Sequence, residues 1–248
     1  MRALLALPIL ATASIGVHAA EAPPAPVMEA FTCNYNAGKG MKDLMSARDY
    51  YVKQADKAGI ELGASYLLTL FKGSLPFDLV WMTPHDSLAA FAATSDAQAA
   101  SDDLADVTAR FETVIDCTPN LSNLTPVFQR EGNTPNDEPS FVSAYACNTN
   151  PGVGPVHVQD LRDHIADVVG GLGDDAPNLI FTLDPITQGP TSADVILFTV
   201  NDSVTDWANF TTAIRSSPGG PNLGRHFEAV ADCNLALWSA QRVIAPAE

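Results

Sequence analysis

The chain has 248 residues, long enough for two domains of about 100–115 residues each and too long for one minimal domain. Its hydrophobic fraction of 46% and charged fraction of 17% form a core-building composition and exclude a wholly disordered chain. With 29 Asp and Glu against 13 Lys and Arg, a net charge of -16, it repels phosphate backbones and anionic lipids, so no nucleic-acid partner is expected.

The first element is a leader. Arg2 is a short positive region, Ala3 to Ile15 are mostly apolar, and Val17 and Ala19 sit at small-residue cleavage positions. The run is shorter than the ~18 residues a membrane span needs, so residues 1–19 read as a secretory signal peptide. Cleavage is expected near Ala19 or Ala20, giving a periplasmic or secreted product with no membrane anchor. Residues 20–26 read as a Pro-rich tether.

A strand follows over Val27 to Cys33, then a turn at 36–40 and a helix over 41–58 closed by Gly59. Ser65 to Phe71 and Phe77 to Met82 read as strands, the second with Phe77, Leu79 and Trp81 on one face and ended by Pro84. Asp86 or Ser87 caps a helix at 88–93, a further helix covers 102–115, and Leu121 to Arg130 is a last strand. Residues 131–139 are a polar linker. Beyond it, a helix is expected at 157–169, and strands at 179–183 and 194–200 flank a Gly-Pro turn at 189–190.

The second series repeats the first. Phe111-Glu112-Thr113-Val114-Ile115-Asp116-Cys117 matches Phe227-Glu228-Ala229-Val230-Ala231-Asp232-Cys233. Cys33-Asn34 matches Cys147-Asn148, Asp43-Leu44 matches Asp160-Leu161, and Asp86-Ser87 matches Asp202-Ser203. The order is preserved, so the chain reads as two tandem copies of one module, over 27–130 and 140–248. Each copy has the order β-α-β-β-α-β, an α+β arrangement of ferredoxin-like topology.

In that topology the first strand lies antiparallel to the fourth. Cys33 ends the first strand and Cys117 precedes the fourth, so the pairs Cys33–Cys117 and Cys147–Cys233 are expected as one disulfide per copy. Loops this long would stabilise the fold by about 4.5 kcal/mol each in the chain-entropy view. A four-thiolate metal site needs close Cys pairs, and there are none.

The strand order, the Asn-rich loop after the first strand, the Phe-Asp-x-Val-Trp strand and the Phe-Glu-x-Val-x-Asp run resemble the dimeric α+β barrel superfamily. That group includes antibiotic-biosynthesis-monooxygenase-like, NIPSNAP-like and EthD-like domains. The resemblance implies two ferredoxin-like units packed sheet against sheet, here as an intrachain pseudo-dimer. It also implies a range of roles: cofactor-independent oxygenases, small isomerases or lyases, haem proteins and plain binders.

The candidate residues each carry a plainer alternative. His85, at the end of a central strand, could act as a base oriented by Asp86, or be a polar turn residue. His164 could be a base or an axial haem ligand, or a partly buried helix histidine. Trp81, Tyr66 and Tyr50, with Tyr51 and Phe71, could line an apolar pocket between two sheets, or fill a core. Arg48 could meet an anionic ligand from the first helix, or simply face solvent. No metal motif, phosphate loop or nucleophile elbow appears, and no cofactor is expected. The function expected is that of an exported small-molecule-binding or structural protein. A small apolar molecule is the expected partner, and the chain is a monomer or a homo-oligomer. Alternatives are an oxygenase-like or isomerase-like enzyme, and a haem or metal protein.

Overall fold

The computed structural model describes residues 25–132, 139–187 and 193–245. The leader over 1–19, nearly all of the tether, the centre of the 131–139 linker and the 189–190 turn lie outside them. The elements of the first half are β1 (Val27–Tyr35), α1 (Met41–Ala58), β2 (Ser65–Lys72), β3 (Leu79–His85), α2 (Leu88–Ala99), α3 (Ala105–Glu112) and β4 (Ile115–Gln129). Those of the second are β5 (Ser140–Thr149), α4 (Pro155–Gly170), β6 (Leu179–Pro185), β7 (Val195–Asn201), α5 (Val204–Ser216), α6 (Gly220–Val230) and β8 (Ala231–Ile244).

The strands form one closed barrel in the order β1-β3-β2-β8-β5-β7-β6-β4. Within each half the order is alike, 4-1-3-2 and 8-5-7-6. The halves join edge to edge: β2 pairs with β8 and β4 pairs with β6, antiparallel in both cases. Among the described residues every strand has a neighbour on both sides, avoiding the open edges that a four-stranded sheet alone would carry.

Alternation along each strand sorts the side chains. Met28 and Ala30 of β1 point into the barrel, whereas Glu29, Phe31 and Cys33 point out towards the helices. The interior is filled by aromatic and aliphatic side chains. Phe181 stacks on Phe198 with centroids 4.8 Å apart, and Phe77 on Trp238 at 5.9 Å. Among the described residues the space between the two four-stranded runs is packed core, so of the two readings of the aromatics there the core-filling one holds for Tyr66.

The same hydrogen bonds recur in both halves. The Asn36 side chain donates to the Glu112 carbonyl at 2.8 Å, and Asn150 to the Glu228 carbonyl at 2.9 Å. The Tyr35 and Thr149 amides each donate to a carboxylate, Asp78 at 3.1 Å and Asp194 at 2.8 Å. The first helix of each half opens on a glycine, Gly40 or Gly154, whose amide donates to the third helical residue, Asp43 or His157. His157 is thus a helix cap. These caps align α1 with α4 from Gly40 and Gly154, which overturns the match of Asp43-Leu44 with Asp160-Leu161 by three residues.

Both disulfides are present, Cys33–Cys117 and Cys147–Cys233. Cys117 lies inside β4, which begins at Ile115 rather than Leu121, and sits directly opposite Cys33. The Cys33 carbonyl accepts the Asp78 amide from the β3 side, so the Cys33–Cys117 pair exchanges no backbone hydrogen bond. Such pairs bring Cα atoms closest, here 4.1 Å and 4.0 Å.

Three further expectations change. Phe77 precedes β3 and turns into the barrel, away from Leu79 and Trp81. The strand continues through Pro84 to His85, where only β1 pairs with it. The 102–115 helix is a 3-10 turn at Asp102–Leu104 followed by the short α3. The helix 41–58 has the expected bounds, and Gly59 caps it in the left-handed conformation at φ 68°.

Candidate functional site

The outward faces of β1, β3 and β4 form the floor of a cavity of about 1190 Å³, roofed by α2, α3 and one residue of α1. The roof stands off because α2 reads Leu-Ala-Ala-Phe-Ala-Ala-Thr-Ser-Asp-Ala-Gln-Ala and buries none of its residues. Alanines and Thr94 are too short to reach the sheet. Ser87 fixes where α2 starts, its Oγ accepting the Ala90 amide at 3.0 Å.

Aromatic rings make the apolar wall. Trp81 meets Phe111 edge to face at 6.0 Å, and Tyr51 meets Phe111 likewise at 6.3 Å. Polar groups gather at one end. The His85 side chain is 10% exposed, and its Nε2 lies 3.6 Å from a Glu29 carboxylate oxygen on the adjacent strand. That is beyond a hydrogen bond, and His85 Nε2 is buried with no hydrogen-bond partner. Gln98 donates to the Tyr51 hydroxyl oxygen at 2.9 Å, leaving the Tyr51 proton free to be donated. Burial, with Glu29 nearby, pushes the Tyr51 pKa up to about 12, against the smaller opposing effect of Gln98. The Ser65 and Thr83 hydroxyls bond at 2.9 Å on the same wall. No Lys or Arg lines the cavity among the described residues, whereas Glu29, Asp86, Glu112 and Asp116 do.

Of the residues singled out from sequence, Tyr51, Trp81, His85 and Asp86 meet here. The carboxylate beside His85 is Glu29, not Asp86, which is exposed at the mouth. Tyr66 packs into the barrel interior instead. Tyr50 does not line the cavity; it lies under the Arg110 guanidinium, 4.5 Å from its ring centre. Arg48 donates to the Val243 carbonyl and pairs with Asp49 at 2.7 Å, so it does not face the cavity. His164 is in the other half, its Nδ1 3.0 Å from Nδ1 of His226 on α6.

Sequence reasoning passed over Glu29, Gln98, Thr94 and Phe111. Glu29 carried a signal: a carboxylate inside the apolar strand Val-Met-Glu-Ala-Phe-Thr-Cys, on the face shared by Phe31 and Cys33. The Ala-rich α2 carried another, since a helix over a sheet normally brings large apolar residues.

The residues do not fit the haem reading. His164 is half-buried against His226 of α6, beside the packed core formed by Leu161 and Ile165. In the cavity a haem's two propionates would meet the Glu29 carboxylate and no cation of the described residues. Among the described residues no three His, Cys, Asp or Glu side chains converge as a metal site. None of the described helices is long and apolar enough to cross a membrane.

No described protein family and no curated protein matches the sequence. Solved structures do match the fold. A candidate monooxygenase from Fusobacterium nucleatum aligns with a TM-score of 0.58 at 13% identity, over 91% of this chain and 95% of that one. A candidate monooxygenase from Lactobacillus acidophilus aligns with a TM-score of 0.54 at 6% identity, over 90% and 96%. A mutant chlorite dismutase from Candidatus Nitrospira defluvii aligns with a TM-score of 0.53 at 10% identity, over 88% and 92%. These neighbours belong to the dimeric α+β barrel superfamily. At such identities the likeness is one of fold.

Proposed function

We propose that this is an exported small-molecule-binding protein whose site is the cavity of the first half. The barrel is read as an intrachain pseudo-dimer of two ferredoxin-like units, residues 27–130 and 140–248, with one unit kept hollow and the other solid. The observation that carries the reading is the convergence of a buried imidazole nitrogen without a hydrogen-bond partner, a carboxylate and a phenol on an aromatic-lined cavity of about 1190 Å³.

That set gives the bound molecule an acid–base partner. His85 accepts a proton, and Glu29 stabilises positive charge arising beside it. Tyr51 stays protonated well above neutral pH and donates a hydrogen bond to an oxygen that gains negative charge. A proton shift on an aromatic or otherwise apolar molecule is the simplest chemistry these groups support. A second reading, an oxygenase acting on the same molecule, draws on the fold likeness to candidate monooxygenases. In it His85 would remove the proton that activates the molecule towards dioxygen.

The test is native mass spectrometry of the mature chain purified from its host's exported fraction. A retained organic mass of a few hundred daltons, lost in Thr94→Phe, is the expected result. A bare chain that also picks up nothing from an extract of small metabolites would overturn the reading.

A further inference from the structure

We infer that the molecule taken by this cavity carries a positive charge on an aromatic or apolar body: an amine in its ammonium form. The inference rests on the reading of the cavity as a small-molecule site, and it narrows the ligand class. Its first support is the charge of the walls. Glu29 points into the space from β1, Asp86 and Glu112 are exposed at its edges, and no cation of the described residues lines it. An anionic guest would be repelled by Glu29 and find no cation among the described residues to offset it.

The cations on the surrounding helices are turned elsewhere. Lys57 pairs with Asp103 at 2.5 Å, Arg110 lies over Tyr50, and Arg48 is tied to Val243 and Asp49. Glu29 therefore lacks the Lys or Arg that a carboxylate pointing into an apolar wall ordinarily has. Its ion-pair neighbour is His85, at 3.6 Å, too far for a direct hydrogen bond, and the Tyr51 phenol lies within reach of its charge. Both groups are thus left able to accept from one donor-rich head group. An ammonium supplies up to three N–H donors and the charge that Glu29 lacks.

The second support is the aromatic wall. Trp81, Phe111 and Tyr51 present ring surface to the same space, and ring faces attract cations at about 0.5–2 kcal/mol each. His85 Nε2 gives the independent sign that a guest belongs here. Its side chain is nine-tenths buried, it lines the cavity, and it has no hydrogen-bond partner. The equivalent Asn201 of the second half is buried too with an unpartnered Nδ2, but it opens only on a concavity of about 60 Å³, room for a water or two.

Three tricyclic probes of one shape test this: 9-(methylaminomethyl)anthracene as cation, 9-anthracenemethanol as neutral, and 9-anthracenecarboxylate as anion. Each is titrated calorimetrically into the full mature chain at physiological salt. The cation is expected to bind at least tenfold tighter than the neutral probe, and the anion weakest. Glu29→Gln should remove that tenfold and leave the neutral probe unchanged. Asp163→Asn, an exposed carboxylate on α4, controls for the general field of an acidic protein and should change nothing. Equal binding of all three probes, or equal losses in Glu29→Gln and Asp163→Asn, would overturn the ammonium inference while leaving the cavity reading standing. Binding of none would overturn both.

Discussion

The two halves share one scaffold and differ in what lies between sheet and helices. Counting from the cap serines Ser87 and Ser203, the seventh and eleventh residues are Thr94 and Gln98 in α2 but Phe210 and Ile214 in α5. From the cap glycines Gly40 and Gly154, the same positions are Ala47 and Tyr51 against Leu161 and Ile165. In the second half these large apolar residues meet Val169, Leu223 and Phe227 in one cluster. In the first half the shorter or polar residues leave the cavity. On β1 and β5, Glu29 faces where Ser143 sits in the second half, and Ser143 is satisfied by Thr199. On matching scaffolds, the helices of the first half thus carry less bulk against the sheet than those of the second.

If the frame is common, removing either disulfide should cost the same. Cys33→Ser with Cys117→Ser, and Cys147→Ser with Cys233→Ser, each open a loop that the bridge closes, of nearly equal span, 84 and 86 residues. Each should lower stability by about 4.5 kcal/mol in urea denaturation. A first-half loss far above the second would break the comparison.

If the halves differ in filling, one pair of truncations should show it. Phe210→Ala should cost about 3–4 kcal/mol, because it empties a packed core. Thr94→Ala, at the equivalent position, should cost under about 0.5 kcal/mol, since its side chain already faces open space. Denaturation midpoints at constant m-value would check both.

A smaller effect concerns alkaline pH. Tyr51 holds its proton up to about 12 when folded and loses it near 10 when unfolded. Between those values the unfolded state binds fewer protons, so stability falls as pH rises through the window. Burial raises Tyr145 in the second half as well, with the same sign. Tyr51→Phe should flatten the decline more than Tyr145→Phe, read from stability measured across pH 9.5–12.

Much of the frame was legible because it follows from local rules. The helix 41–58 shows its period and its Gly59 cap, and the disulfides follow from strand order and a repeat that names its own partners. The site was legible only in part. Trp81 and His85 declare themselves by residue type at a strand end. Tyr66 and Tyr50 mislead because an aromatic ring has the same value to a core, a stacked surface and a pocket, and only the facing residue decides. Glu29 depends on the register of β1, since a shift by one residue would place it in the barrel. The cavity itself is an absence of bulk on α2, visible only once α5 is laid beside it. His164 looked inward by helical spacing, and it does, but onto His226.

The most direct test grafts the second half's filling into the first. Thr94→Phe with Gln98→Ile is titrated calorimetrically with 9-anthracenemethanol beside the unaltered chain. One site per chain in the unaltered protein, abolished in the variant with stability kept or raised, is the result predicted. Two sites per chain, or binding that survives the graft, would contradict a hollow first half set against a solid second one.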